Sequence, residues 1–330
     1  MNKNILIIGA TGIIGSPLVE KLQQNGEFNL YTVSLDHLGF SNNVKQIIID
    51  RNSDEFNSKI SEVTNTVGVW DAVIDLISFD ENTSSSLYKL IGKNTKHFVV
   101  LSTVLVYDRT LRIDQPISEN STLAPIGIFS GYVDGKVKIE KFWQSRDDVN
   151  WTILRPYHVL GKNSLLGCLP IHNRDPLIVE KILSGQSIRL VNNGNIQLNI
   201  IHPEDIAAVV SLIINNKKAY NQAYNLINPE IVSAKQYYTE IASQLGKSIN
   251  IENLNIREVW QKSAGWEMTT LPHIYSANKL GIDIGYTPSI SFKVGIKDAL
   301  NFPAKPIANK YVIHDRMNKL PRPHKPDWLI

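Results

Sequence analysis

The chain has 330 residues, 43% of them hydrophobic and 20% charged, which excludes a disordered polyelectrolyte and suffices for one α/β core with a smaller attached lobe. A formal charge of +3 over that length is too dilute to track phosphates, so nucleic acid is not an expected partner. With a single cysteine, Cys168, and no CxxC or clustered His/Cys spacing, neither an internal disulfide nor a zinc site is expected.

A reducing cytoplasm is the expected compartment. Cys168 follows Leu165-Leu166-Gly167 and reads as a small buried apolar residue rather than a nucleophile. The first apolar run, Ile5 to Ile8, is too short for the h-region of a secretory signal. No run approaches the roughly 18 apolar residues of a membrane span, so no membrane contact is expected.

Ile5-Leu6-Ile7-Ile8 is apolar and rich in β-branched residues, the signature of a strand buried on both faces of a parallel sheet. A helix follows at once. Pro17 sits where a first turn tolerates it, Leu18, Val19 and Leu22 form the inward stripe, and Asn25-Gly26 ends the helix. Further apolar runs lie at Leu30 to Val33, Gln46 to Ile49, Ala72 to Ile77, Phe98 to Leu101 and Thr152 to Leu154, most of them separated by helix-length segments. Such alternation predicts an α/β fold, a Rossmann-type doubly wound parallel sheet, over residues 1–160.

Beyond Gly161 the alternation loosens around Asn192-Asn193-Gly194-Asn195, then resumes at Asn199 to Ile201 and a helix from Pro203 to Ile214. This strand and helix, near 197–215, are expected to rejoin the first sheet. The remainder of 161–302, including an amphipathic helix from Ala234 to Leu245, is expected to form a smaller C-terminal substrate lobe. Residues 303–330 carry Pro303, Pro306, Pro321, Pro323 and Pro326 among lysines and arginines, a basic tail that resists regular structure. A dimer contact or an acidic partner is the alternative use of that tail.

Gly9-Ala10-Thr11-Gly12-Ile13-Ile14-Gly15 falls between the first strand and the first helix. There glycines permit a tight turn and close approach to a pyrophosphate, which the helix N-terminus favours electrostatically. Tyr132-Val133-Asp134-Gly135-Lys136 is a YxxxK pattern, and residues four apart share one helical face. Tyr275 and Lys279 fit the same pattern. Position separates the two, because Tyr132 and Lys136 follow the strand that ends near Thr103, inside the nucleotide-binding half.

GATGIIG, the segment Leu101 to Tyr107 and the Tyr132/Lys136 pair together resemble the extended short-chain dehydrogenases/reductases, the NAD-dependent epimerase/dehydratase family. Trp151 to Pro156 is similar to that family's LRP-type segment, and Ile201-His202-Pro203-Glu204-Asp205 to its HVDD-type segment. Ser276 to Leu280 with Gly285 to Pro288 resembles its usual close. The likeness thus runs from about residue 3 to 300.

The resemblance implies catalysis by Thr103, Tyr132 and Lys136. The lysine cation would draw the phenol pKa from about 10 toward neutrality, and Tyr132 would exchange a proton with a carbonyl or alcohol oxygen that Thr103 positions. It also implies an NAD or NADP dinucleotide held by Gly9, Thr11, Gly12, Ile13, Ile14 and Gly15 at the turn. Ser34 or Asp36 would meet the adenosine ribose, Asp50, Arg51 and Leu76 would lie along the adenine side, and Tyr132, Lys136, Pro156 and His158 at the nicotinamide end. A carboxylate at Asp36 with no arginine close behind it favours NAD, although Asp36 also suits a turn cap and Asp50 a helix cap. His158 reads equally as a substrate ligand or a packing histidine.

Dehydrating and decarboxylating relatives carry acidic residues directly after the catalytic threonine, where this chain has Val104 and Leu105, which move no protons. Nucleotide-sugar enzymes grip their substrate with an Asn and an Arg, where this chain has His158 and Leu198 or Gln197. The leading expectation is hydride transfer between nicotinamide and a carbonyl or secondary alcohol of a small molecule. The alternatives are 4-epimerisation of a sugar derivative and, in another class, a non-catalytic nucleotide- or RNA-binding scaffold. The resemblance implies a homodimer, built on the helices around Asn82 to Ile91 and Tyr132 to Trp143.

Overall fold

The computed structural model describes residues 2–41, 43–109, 116–168, 175–255 and 273–304. The side chain of Cys168 and the tail beyond residue 304 lie outside the described residues.

The alternation predicted from the apolar runs is present. In chain order it comprises β1 (Lys3–Ile8), α1 (Gly15–Gln24), β2 (Phe28–Ser34), β3 (Val44–Ile48), α2 (Phe56–Val67), β4 (Ala72–Asp75), α3 (Glu81–Ile91), β5 (His97–Leu101), α4 (Gly131–Gln144) and β6 (Asn150–Pro156). After these come β7 (His158–Val159), α5 (Ile178–Leu183), β8 (Ile188–Val191), β9 (Gln197–Ile201), α6 (Pro203–Ile213), β10 (Gln222–Leu226), β11 (Ile231–Ser233), α7 (Ala234–Gln244) and β12 (Ile251–Leu254). Two further helices, α8 (Asn278–Ile284) and α9 (Phe292–Asn301), complete the described part.

The main sheet has seven strands in the order β10-β6-β5-β4-β1-β2-β3, every pair parallel. β1 lies inside it, and its side chains alternate between two cores as strand geometry requires. Ile5 and Ile7 pack with Leu18, Val19 and Leu22 of α1 and Val209, Val210 and Ile213 of α6. Leu6 and Ile8 pack on the other face with Phe56 and Ile60 of α2, Leu87 and Ile91 of α3, and Ile139 and Trp143 of α4. All four β1 aliphatics are 0% exposed, each contributing roughly 1.5–3 kcal/mol of apolar burial.

The segment near 197–215 departs from expectation in its strand. α6 packs on the core beside α1, but β9 pairs with β7 and β11 in a separate three-stranded sheet. The strand that enters the main sheet is β10, alongside β6. The reason is geometric: β6 ends at Pro156, and β9 aligns instead with the short strand just beyond it, at His158 and Val159. A further apolar cluster forms where Ile178 and Ile182 of α5 meet Tyr237, Tyr238 and Ile241 of α7 and Ile296 of α9.

Candidate active site

The carboxyl ends of β1, β4 and β5 and the helices that follow them define the site. At the glycine turn, Gly9 has φ +94° and a β-carbon there would stand 2.7 Å from Ile77 Cγ2. Gly15 is packed harder still, since its β-carbon would meet the Gly9 carbonyl oxygen at 2.3 Å and the Ala10 backbone at 2.7 Å. Gly12 differs: a β-carbon there meets only the Gly9 oxygen, at 3.6 Å, and the residue is exposed. Thr11, Ile13 and Ile14 complete the turn and are half-buried.

Helix α1 starts after Ile14 without a side-chain cap, whereas α3, α4 and α6 are capped by Asp80, Ser130 and His202. The first N–H groups of a helix lack intrahelical partners and attract an anion. An open surface over Gly12 beside an uncapped N-terminus fits a dinucleotide pyrophosphate.

At the end of β2, buried Ser34 donates to the Asp36 carbonyl at 2.9 Å, and Asp36 itself is exposed. Asp50 takes the Asn52 backbone N–H at 2.8 Å, closing an Asx turn; α2 begins later, at Phe56, so Asp50 does not cap it. Arg51 turns inward and forms a two-point pair with Asp75 at the end of β4. Asp75 is 0% exposed. Burial alone would raise its pKa, but the Arg51 charge and hydrogen bonds from Arg51, Ser78 and the Ile77 N–H hold it below the ordinary aspartate value. Leu76 follows, buried between that pair and the glycine turn.

Thr103 ends the β5 segment and is 6% exposed, its hydroxyl capping a short turn by accepting the Leu105 N–H at 3.3 Å. Val104 and Leu105 are buried aliphatics of that turn. Across from it runs α4, with Tyr132 half-buried in its first turn and Lys136 one turn on. The Lys136 ammonium donates to the Ser78 carbonyl at 2.6 Å and to the Leu101 carbonyl at 2.7 Å. It also lies 5.9 Å from the Tyr132 ring centroid and 5.1 Å from that of Phe79. Burial lowers the Lys136 pKa to about 8, against the attraction of Asp75 and Glu140. An ammonium so placed has two of its three protons committed to carbonyls and one left for a ligand or the phenol.

Sequence reasoning missed the groups that place this lysine. The Ser78 and Leu101 acceptors are backbone carbonyls, which no side-chain pattern encodes. Glu140, one turn beyond Lys136, is 0% exposed and receives Ser102 Oγ at 2.5 Å and Arg155 Nη2 at 2.6 Å. Arg155 also donates to the Tyr107 hydroxyl at 2.8 Å, which passes to Asn225 at 2.6 Å. The spacing Tyr132, Lys136, Glu140 was the available signal, since a third residue at i+4 shares their face.

Pro156 is buried at the end of β6, and the His158 ring makes an edge contact with Tyr237 of α7 at 6.0 Å. The rival pair lies elsewhere: Tyr275 is buried between the Tyr107 and Tyr157 rings, and Lys279 donates to Gln222 and the Ala223 carbonyl of β10. Among the described residues no three His, Cys, Asp or Glu side chains are grouped to hold a metal, and no helix is long and apolar enough to cross a membrane.

Residues 5–226 match the NAD dependent epimerase/dehydratase family. The chain belongs to that family. Among curated relatives it is 23% identical to the putative UDP-glucose 4-epimerase of Methanocaldococcus jannaschii, over 90% of this chain and 97% of the relative. It is 24% identical to the chloroplast stem-loop binding protein of 41 kDa b of Arabidopsis thaliana, over 91% of this chain and 79% of that protein. Among solved structures, UDP-glucuronic acid 4-epimerase from Bacillus cereus, with UDP-glucuronic acid and NAD, superposes with a TM-score of 0.70 at 17% identity, covering 91% and 98% of the two chains. These match the expected extended short-chain dehydrogenase/reductase type, a family of NAD-dependent enzymes.

Proposed function

We propose that this enzyme transfers a hydride between bound NAD and a carbonyl or secondary alcohol of a small molecule, with Tyr132 as the proton donor or acceptor. The observation that carries the reading is the Lys136 ammonium, fixed by two carbonyls beside the Tyr132 ring. The dinucleotide, when bound, supplies the hydride-accepting and hydride-donating centre.

Gly9, Thr11, Gly12, Ile13, Ile14 and Gly15 form the turn that would hold its pyrophosphate at the α1 N-terminus, with the Gly9 and Gly12 N–H groups spent on the Val33 and Gly9 carbonyls inside the turn. Ser34 and Asp36 face the adenosine ribose, and Asp50, Arg51 and Leu76 line the adenine side. NAD is favoured over NADP because the Arg51 guanidinium is committed to Asp75 and is not free to grip a 2′-phosphate. Pro156 and His158 border the nicotinamide end.

Lys136 stabilises the phenolate form of Tyr132, so the hydroxyl gives a proton to a nascent alkoxide or takes one from an alcohol. Thr103 orients the same oxygen. Phe79, 53% exposed and 6.5 Å from the Tyr132 ring, offers an apolar face to the approaching substrate. Tyr132→Phe is expected to abolish turnover in a carbonyl-substrate screen while leaving NAD affinity unchanged; undiminished turnover would remove Tyr132 from the mechanism.

The second reading is 4-epimerisation, in which the same residues oxidise and re-reduce one carbon. Its support is the likeness to the UDP-glucose 4-epimerase relative from Methanocaldococcus and the aliphatic Val104 and Leu105, which leave no acid or base for dehydration. An enzyme that retains its dinucleotide through purification and needs none added favours this reading. A cytoplasmic homodimer remains our expectation. The exposed positions of α3 and α4 include Ser86, Lys89, Lys138 and Lys141, so a contact through these helices is hydrated and salt-sensitive.

A further inference from the structure

The β4–α3 loop carries more polar contacts than a connection of its length needs. The Ser78 hydroxyl donates to Asp75 Oδ2 at 2.6 Å, while Arg51 Nη2 and Ser84 Oγ approach it at 3.2 and 3.1 Å. Arg51 reaches on to the Thr83 carbonyl at 3.4 Å, in the first turn of α3. The Ile77 N–H donates to Asp75 Oδ1 at 3.2 Å. Ser78, Asp75, Arg51 and Ser84 are buried, and three of these contacts meet at Ser78, whose carbonyl holds Lys136.

A buried ion pair is a poor device for stability alone, because an apolar pair of similar volume serves the core as well or better. Its geometric demand is what distinguishes it: a two-point guanidinium–carboxylate contact fixes both partners in one orientation. Arg51 comes from the β3–α2 connection and Asp75 from the end of β4. The pair therefore ties the proposed adenine side of the cofactor site to the loop against which α4 rests.

We propose that Arg51 and Asp75 are a positioning pair that sets the Ser78 carbonyl, and through it the place and charge of the Lys136 ammonium. The inference rests on the reading of Lys136 as the partner of Tyr132. The charged and titratable groups around that ammonium are Asp75 and Arg51 from the carboxyl ends of the sheet strands, and Glu140 and Tyr132 from its own helix. Loosening Ser78 removes an acceptor that favours the charged lysine, and removing Asp75 takes away an attraction larger than the opposing repulsion from Arg51. Both changes push the Lys136 titration downward.

The test follows the Lys136 side chain directly, by pH titration of its ε-carbon resonance in full-length protein labelled at lysine, assigned with Lys136→Arg, without cofactor or substrate. Asp75→Asn removes the carboxylate. Arg51→Met with Asp75→Leu removes both charges and keeps an apolar core, so that a fold lost in the single variant is retained in the double. The expected result is a Lys136 midpoint lowered by about one unit in the double variant, with its circular dichroism and unfolding midpoint preserved. A midpoint unchanged or raised in a folded double variant would reduce Arg51 and Asp75 to an ordinary core ion pair. Failure of the Tyr132 assignment would show separately, as turnover surviving Tyr132→Phe.

Discussion

The carbonyl oxygen of Phe79 occupies the place beside Gly135 where a side chain would begin: a β-carbon on that glycine would lie 2.2 Å from it. Gly135 directly precedes Lys136, so the absent side chain is what lets the β4–α3 loop come close enough for Ser78 to hold the ammonium. Glycine inside a helix costs about 1 kcal/mol relative to alanine, a cost this contact offsets. Gly135→Ala is expected to be destabilising by about 1–2 kcal/mol net, since overpacking against backbone costs about 1–3 kcal/mol and exceeds the gain in helix propensity. Denaturant unfolding decides it, and a stabilisation of about 1 kcal/mol would show that the loop yields freely.

The glycine turn separates structural from ligand-facing positions. Gly15 has no room against the Gly9 and Ala10 backbone, whereas Gly12 opens outward. Gly12→Val is expected to leave unfolding within about 0.5 kcal/mol of wild type, as for other exposed sites. It should weaken NAD binding by roughly tenfold or more, about 1.4 kcal/mol. Calorimetric titration with NAD and a parallel melt distinguish the two effects. Equal affinity would mean that nothing binds over Gly12.

Glu140 and Arg155 form a second buried ion pair beside the site, at 2.6 Å with side chains 0% and 2% exposed. Burial would lower the Arg155 pKa, but Glu140 and Tyr107 outweigh it and hold the guanidinium charged. Glu140→Leu leaves that charge unpaired and is expected to be destabilising by about 3–5 kcal/mol. A loss below about 1 kcal/mol, measured by urea unfolding, would show that Arg155 finds water or another acceptor.

The lysine also has a stability signature. Its folded pKa is lowered to about 8 from 10.5, so between these values the unfolded chain binds a proton that the folded chain has released. Stability from this group is fully present above pH 10.5 and is lost as pH falls through about 8. The span corresponds to about 3 kcal/mol. Comparing wild type with Lys136→Met across pH 7.5 to about 10.5 isolates the term, and parallel curves would mean that the lysine titrates normally.

Much of the sheet was legible because buried parallel strands are written as short aliphatic runs: Ile5 to Ile8, Phe98 to Leu101 and Thr152 to Leu154 all fall inside observed strands. β10 was not. Its sequence, Gln222 to Leu226, includes Asn225, which is 0% exposed yet polar because it accepts from Tyr107 and donates to the Ile117 and Ser276 carbonyls. Polar residues satisfied by tertiary partners break the apolar pattern that betrays a strand.

In the site, the glycine turn and the Tyr132/Lys136 pair were readable because each is a local spacing with a mechanism. The Arg51–Asp75 pair was not, since its partners are 24 residues apart and Asp75 sits within a run that reads as hydrophobic. The resemblance places Arg51 along the adenine side of the cofactor, and its guanidinium pairs with Asp75.

The most direct test of the account is thermal unfolding with NAD⁺, NADH, NADP⁺ and NADPH in turn, on protein shown by absorbance to carry no retained nucleotide. A ligand specific to the folded state at a hundredfold excess over its Kd adds about 2.7 kcal/mol, a rise of roughly 4 °C for a chain of this size. That rise is expected with NAD⁺ and NADH, and a smaller one with the phosphorylated pair. No rise with any of the four would contradict it, leaving a fold without its cofactor and moving the chain from enzyme to scaffold.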